Sequence, residues 1–120
     1  MPRRVHRSED IAVGCAMIGL LETLTRPRTL HIIWLLSTHG PMRFGALRRS
    51  AEGISARVLA VRLRMLEEKG FVVRTVKPSN PPEVTYSPTY RLKEMEGVME
   101  HLQQLSIKWQ SEDNEKAVAA

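Results

Sequence analysis

A single cysteine, Cys15, excludes an intramolecular disulfide, and four scattered histidines offer no ligand cluster with zinc spacing. No metal and no cofactor is expected. The chain also lacks any stretch near the roughly 20 uninterrupted apolar residues that a membrane helix requires, so no membrane partner is expected. The basic start of the chain, with Arg3, Arg4 and Arg7, leads into apolar residues broken by Gly14, Gly19, Glu22 and Thr23. That interruption argues against a signal peptide and for a cytoplasmic protein. There is no glycine-rich phosphate loop and no Ser/His/Asp arrangement, and His31 and His39 have no acid or nucleophile at a recognisable spacing. An enzyme is the least favoured class.

What remains is a chain of 120 residues, the length of one domain, with 42% apolar and 26% charged residues, as suits a globular fold. Lys and Arg number 18 against 13 Asp and Glu, giving +5, and thirteen of the cations are arginines. Arginine makes forked contacts with phosphates and guanine edges, so a polyanionic partner is favoured.

The hydrophobic pattern predicts a first helix over residues 11–24, with Met17, Leu20, Leu21 and Leu24 on one face. A second helix begins near Thr25 and Pro27, carries Leu30, Ile32, Ile33, Trp34, Leu35 and Leu36, and stops at Gly40-Pro41. Met42 to Phe44 reads as a short extended piece, followed by a brief helix from Gly45 to Ser50. A turn containing Gly53 and an apolar plug, Ile54, leads to Ser55, which caps a helix from Ala56 to Lys69 with Leu59, Leu63 and Leu66 facing inward. Helix, glycine-containing turn and helix make a helix-turn-helix. Phe71 to Val76 and Val84 to Ser87 then form a hairpin with a proline-rich tip, and a hairpin after a helix-turn-helix makes a winged helix.

From Thr89 to Gln110 a last helix spaces Leu92, Met95, Met99, Leu102, Leu105 and Trp109 by three or four residues, a seam suited to a partner helix. The expected fold is mostly α with a small β-hairpin: a winged helix-turn-helix with N- and C-terminal dimerisation helices. Residues 1–10 are expected to be a flexible arm, 11–110 the domain, and 111–120 a flexible tail.

These elements, in this order, carry a resemblance. Cys15, Gly40-Pro41, Arg43-Phe44, Leu47-Arg48-Arg49, Gly53-Ile54-Ser55, Leu59, Leu63, Leu66-Glu67, Gly70, Val73-Arg74, Pro82 and Tyr86 together resemble the HxlR-type family of winged-helix transcription regulators, over roughly residues 15–109. Arg26-Pro27-Arg28 stands where that family has glycine-lysine-tryptophan, and Trp34 is the candidate to replace the missing aromatic. Pro88-Thr89-Tyr90-Arg91-Leu92 also departs from the family's opening of the last helix.

The outward face of the Ser55 helix is the candidate reader of a major groove. Ala56, Arg57, Ala60 and Val61 are placed to meet base edges, and Ser55 and Arg64 to hold phosphates. Arg43, Arg48 and Arg49 are candidate phosphate clamps, with Lys77, Ser79 and Asn80 at the wing; Arg62 lies between faces, where an acidic partner would suit it. Arg74 admits either a DNA contact or a structural salt bridge. The resemblance implies a homodimer on operator DNA, acting as a repressor and open to a small-molecule effector. It also implies a sensing role for Cys15, which the residues alone favour as a small buried apolar side chain. The alternative is a winged-helix protein-interaction or ligand-binding module without DNA binding.

Overall fold

The structure, a computed structural model, describes residues 7–119, with side chains from Ile11 onward. Helices α1 (Arg7–Leu24) and α2 (Thr29–His39) precede a short strand β1 (Met42–Arg43), and helices α3 (Phe44–Ser50) and α4 (Ala56–Glu68) follow. Strands β2 (Val72–Lys77) and β3 (Glu83–Pro88) form the wing, and the chain closes with α5 (Tyr90–Lys93) and α6 (Glu96–Ala119). The sheet has three strands in the order β1-β3-β2, all antiparallel, with Met42 opposite Tyr86 and Arg74 also opposite Tyr86. The short extended piece at Met42 thus adds a strand to the expected hairpin.

Two local signals set the helix-turn-helix. Ser55 adopts an extended backbone and its Oγ accepts the Val58 N–H at 3.1 Å, satisfying one of the free donors at the start of α4. Gly53 has a φ of 82°, which a side-chain-bearing residue rarely adopts, and the turn it makes drops Ile54 into the core. At the other end of α4, Gly70 adopts the left-handed conformation and the Phe71 N–H returns to the Leu66 carbonyl at 2.8 Å.

The core is aliphatic. Ile32, Ile33 and Leu36 of α2 meet Leu47 of α3, Leu59, Leu63 and Leu66 of α4, and Leu92 of α5, all fully buried. Each such side chain contributes roughly 1.5–3 kcal/mol through burial. The second helix starts later than its sequence suggests: Arg28, at φ 72°, precedes Thr29, so Pro27 lies in the turn and not in the first helical turn. Trp34 does not replace a core aromatic. Helical residues turn by about 100° each, so inward-facing Ile32, Ile33 and Leu36 place Trp34 on the opposite side, 38% exposed and beside the His31 ring.

The junction after the wing is tied on both sides. The Thr89 hydroxyl donates to the Gly70 carbonyl at 2.6 Å and accepts the Leu92 N–H at 3.4 Å, and Arg91 Nη1 donates to the Lys69 carbonyl at 2.9 Å. The expected single helix from Thr89 is two: a tight turn, closed by the Met95 N–H on the Leu92 carbonyl, separates α5 from α6. Two expected boundaries also move. The first helix begins by Arg7, inside the expected arm, whose residues 1–6 lie outside the described residues. The last helix continues through the expected tail to Ala119, every residue from Ser106 to Ala119 being exposed.

The radius of gyration is 18.3 Å, against about 14 Å for a compact domain of this length. Helices α1 and α6 account for the excess. Ile11, Val13, Met17, Ile18, Leu20 and Leu21 are exposed along α1, which enters the packed body only at Thr23 and Leu24.

Candidate nucleic-acid interface

The hydrophobic side of α4 decides what its opposite side presents. With Leu59, Leu63 and Leu66 fully buried, Arg57, Val61, Arg64 and Glu68 project outward and are exposed, as is Ala60 on one flank. Ala56 is half-buried beside the cap. Among the described residues, neither Arg57 nor Arg64 has a hydrogen-bond or ion-pair partner within the chain. Both guanidinium groups keep all their donors. The Ser55 hydroxyl is used as a cap, which leaves its proton for an external acceptor.

Arg48 and Arg49 are exposed on α3, and the Arg49 guanidinium folds back to within 3.3 Å of the point where Gly45 would carry a Cβ. Arg43 differs from the free clamp expected of it. Its Nη2 lies 2.9 Å from the Glu83 Oε2, an ion pair that ties β1 to β3 at the edge of the wing. The pair borders a hollow of about 670 Å³ between wing and α3, lined also by Phe44, Arg74, Asn80 and Tyr86. Arg74 faces that hollow, with no salt bridge among the described residues. Lys77 and Asn80 are exposed at the wing, but the Ser79 hydroxyl donates to the Pro81 carbonyl at 2.7 Å, so its proton serves the loop.

Two arginines have roles the sequence did not reveal. Arg62 has no acidic partner among the described residues: its Nε donates to the Pro27 carbonyl at 2.8 Å, fastening the flank of α4 to the turn between α1 and α2. Arg28 reaches from that same turn to Gly53, its Nη2 2.9 Å from where a Cβ would stand. The signal for this was the helical position of Arg62, off both the apolar and the outward faces. Its acceptor is a main-chain oxygen 35 residues away, which composition cannot reveal.

The apolar seam expected on the last helix is divided by burial. Leu92 and Met99 are buried in the core of their own protomer and Met95 packs against that core, so these three are not a free surface. Leu102 and Trp109 are exposed, at 46% and 54%, and Leu105 is half-buried. Together with Val98, which the sequence reading omitted, they form the stripe on α6 that remains open. Cys15 is exposed in the middle of α1, which corrects its reading as a small buried side chain.

A helix-turn-helix with an open arginine-bearing face, a β-wing and tied caps has counterparts among known proteins. The HxlR-like helix-turn-helix family matches residues 25–114. The chain belongs to this family. It is 38% identical over 82 residues to the regulatory protein MalR of Fusobacterium mortiferum, covering 68% of this chain and 74% of that one. Its fold is similar to that of a MarR-family transcriptional regulator from Porphyromonas gingivalis, with a TM-score of 0.73 at 25% identity over 88% of this chain and 97% of the other. It is also similar to reduced YodB of Bacillus subtilis, a transcriptional regulator, with a TM-score of 0.66 at 30% identity over 74% and 86% of the two chains. The HxlR-like chain is a winged helix-turn-helix regulator of transcription and not an enzyme. No helix among its described residues is long and apolar enough to cross a membrane.

Proposed function

We propose that the protein is a cytoplasmic homodimeric repressor that occupies an operator in double-stranded DNA. The observation that carries this reading is the outward face of α4, where Arg57, Val61 and Arg64 stand exposed and the two arginines have no partner among the described residues. A guanidinium with all donors free, near a helix N-terminus that fits the major groove, suits forked recognition of guanine. Arg48 and Arg49, the Ser55 hydroxyl, and Lys77 and Asn80 of the wing are the phosphate contacts in this scheme. Arg43 and Ser79 contribute less, since each has a partner within the fold. Dimerisation joins α1 to the Val98, Leu102, Leu105 and Trp109 stripe of α6, which removes the largest exposed apolar faces from water.

Regulation acts through those same helices. YodB is known in diamide-treated and quinone-bound forms as well as reduced, and the exposure of Cys15 on α1 supports a thiol response here too. Residues 25–114 carry the family match, so Cys15 stands outside it. In a homodimer a disulfide needs the partner's only cysteine, joining α1 to α1 across the interface. Hydroxyl-radical footprinting on the DNA upstream of the protein's own gene tests the reading. Two protected patches about one helical turn, roughly 10 base pairs, apart are expected. A single patch, or none at concentrations that saturate random DNA, contradicts it.

A further inference from the structure

Among the described residues, Arg28 alone combines a side chain with a positive φ, 72°. Glycine adopts that backbone freely, whereas a Cβ raises its energy. Such strain persists only where the surroundings hold it, and it gathers at functional positions. The surroundings here are a closed turn. The Thr25 N–H donates to the Leu21 carbonyl at 2.9 Å to end α1, the Thr29 N–H donates to the Arg26 carbonyl at 3.1 Å, and the Ile32 N–H donates to the Arg28 carbonyl at the start of α2. Thr29, next in the chain, is fully buried. The turn is therefore fixed to the core, and its residues, Arg26-Pro27-Arg28, are where this chain departs from its family.

Two contacts join that turn to the helix-turn-helix. Arg62 Nε donates to the Pro27 carbonyl at 2.8 Å, and the Arg28 guanidinium lies against Gly53, its Nη2 2.9 Å from where a Cβ would stand. With a φ of 82° at Gly53, both the bend of the chain and the seat for Arg28 require a glycine. The contacts grip α4 at separate places: one lies just ahead of the Ser55 cap, the other about 10 Å along the helix axis from it. Core leucines hold α4 by apolar packing, which is non-directional and opposes roll about the helix axis weakly. Arg62 stands on the flank between buried Leu59, Leu63 and Leu66 and outward Arg57, Val61 and Arg64, so its directional bond opposes roll. A small roll would swing Arg57 off a base edge, because a forked hydrogen-bond pair tolerates little misalignment.

We propose that Arg28 and Arg62 are positioning residues for base reading. The strained turn and these two guanidinium groups fix the roll of α4, and with it the aim of Arg57, without touching DNA themselves. The consequence for sequence preference rests on the operator reading above; the grip on α4 does not.

The test uses the full chain and the variants Arg62→Ala, Arg28→Gly and the two combined. Without DNA, amide hydrogen exchange in α4 should be roughly three- to tenfold faster in Arg62→Ala, the scale of one lost hydrogen bond, with β2 unchanged. Arg28→Gly relieves the strained φ, so its denaturation midpoint should be no lower than that of the parent. Its affinity for upstream DNA should nevertheless fall roughly tenfold, while affinity for shuffled DNA stays within about twofold. A merely structural residue would show the reverse pattern, with lost stability and equal losses on both sequences. Arg62→Lys, which keeps a donor, should recover part of the preference that Arg62→Ala loses. The combined variant should lose little more than the worse single one, because both restraints act on one motion. Equal losses on the two sequences with a shallower salt dependence would make these residues phosphate contacts and overturn the proposal. Additive losses in the combined variant, or unchanged exchange in Arg62→Ala, would overturn it as well. Faster exchange in Arg62→Ala, in a protein with no preference for upstream DNA, supports the grip and refutes only the operator reading.

Discussion

The region from Thr29 to Leu92 and the two long helices flanking it spend their apolar residues in opposite ways. In the first, Leu47, Leu59, Leu63, Leu66 and Leu92 are fully buried, and helix ends are closed by Ser55, Gly70 and Thr89. In the second, Met17, Ile18, Leu102 and Trp109 are about half exposed, or slightly more, on helices that make few contacts with the rest of the protomer. A head that satisfies its own backbone and buries its own core sets the shape of the proposed DNA-reading face. Arms with open apolar stripes leave their arrangement to whatever covers them. The Arg62 bond to the Pro27 carbonyl ties the first region to the turn that leads into it from α1.

The largest effect that sharpens this contrast is in the core. Leu63→Ala should destabilise the protein by about 2–5 kcal/mol in chemical denaturation, because a fully buried leucine leaves both lost burial and a cavity. Met17→Ala on α1, measured at a concentration too low for assembly, should change stability by no more than about 0.5 kcal/mol. A large loss for Met17→Ala would show that α1 belongs to the head. Next in size is assembly: Leu102→Glu places a charge in the open stripe of α6 and should convert the proposed dimer to monomer in sedimentation, with the far-ultraviolet circular dichroism unchanged. A dimer that survives Leu102→Glu would move the interface elsewhere.

Smaller effects come from single hydrogen bonds. Ser55→Ala removes the cap on α4 and should cost about 1 kcal/mol of stability. Glu83→Gln releases Arg43 and should alter stability by less than about 1 kcal/mol, since exposed ion pairs contribute little. It should also raise affinity for any DNA sequence slightly at low salt, because a freed cation adds a phosphate contact.

The head was more legible in the sequence than the arms for a physical reason. Ser55, Gly53 and Gly70 act on their own neighbours, and Leu59, Leu63 and Leu66 repeat at a spacing only a helix brings to one side, so local rules place them. Periodicity also found an apolar stripe in Leu92 to Trp109, but it cannot say which neighbour covers each residue. Leu92 and Met99 went to the protomer's own core and Leu102 and Trp109 did not. Trp34 failed in the same way, being apolar but placed opposite the buried side of α2. Arg43 and Arg62 were legible as arginines on the right elements, yet their partners, Glu83 and the Pro27 carbonyl, are set by tertiary contact across 40 and 35 residues. The helical tail to Ala119 is polar on most positions, and composition alone read it as coil.

On the proposed scheme α4 reads bases while the arginines of α3 hold phosphates. Fluorescence anisotropy of Arg57→Ala and Arg48→Ala, each on upstream and on shuffled DNA across a salt series, tests it most directly. Arg57→Ala should lose about 1–3 kcal/mol on the upstream sequence and little on the shuffled one. Arg48→Ala should weaken both alike and flatten the salt dependence by about one released counterion. Equal losses on the two sequences for Arg57→Ala would contradict the assignment of base reading to α4.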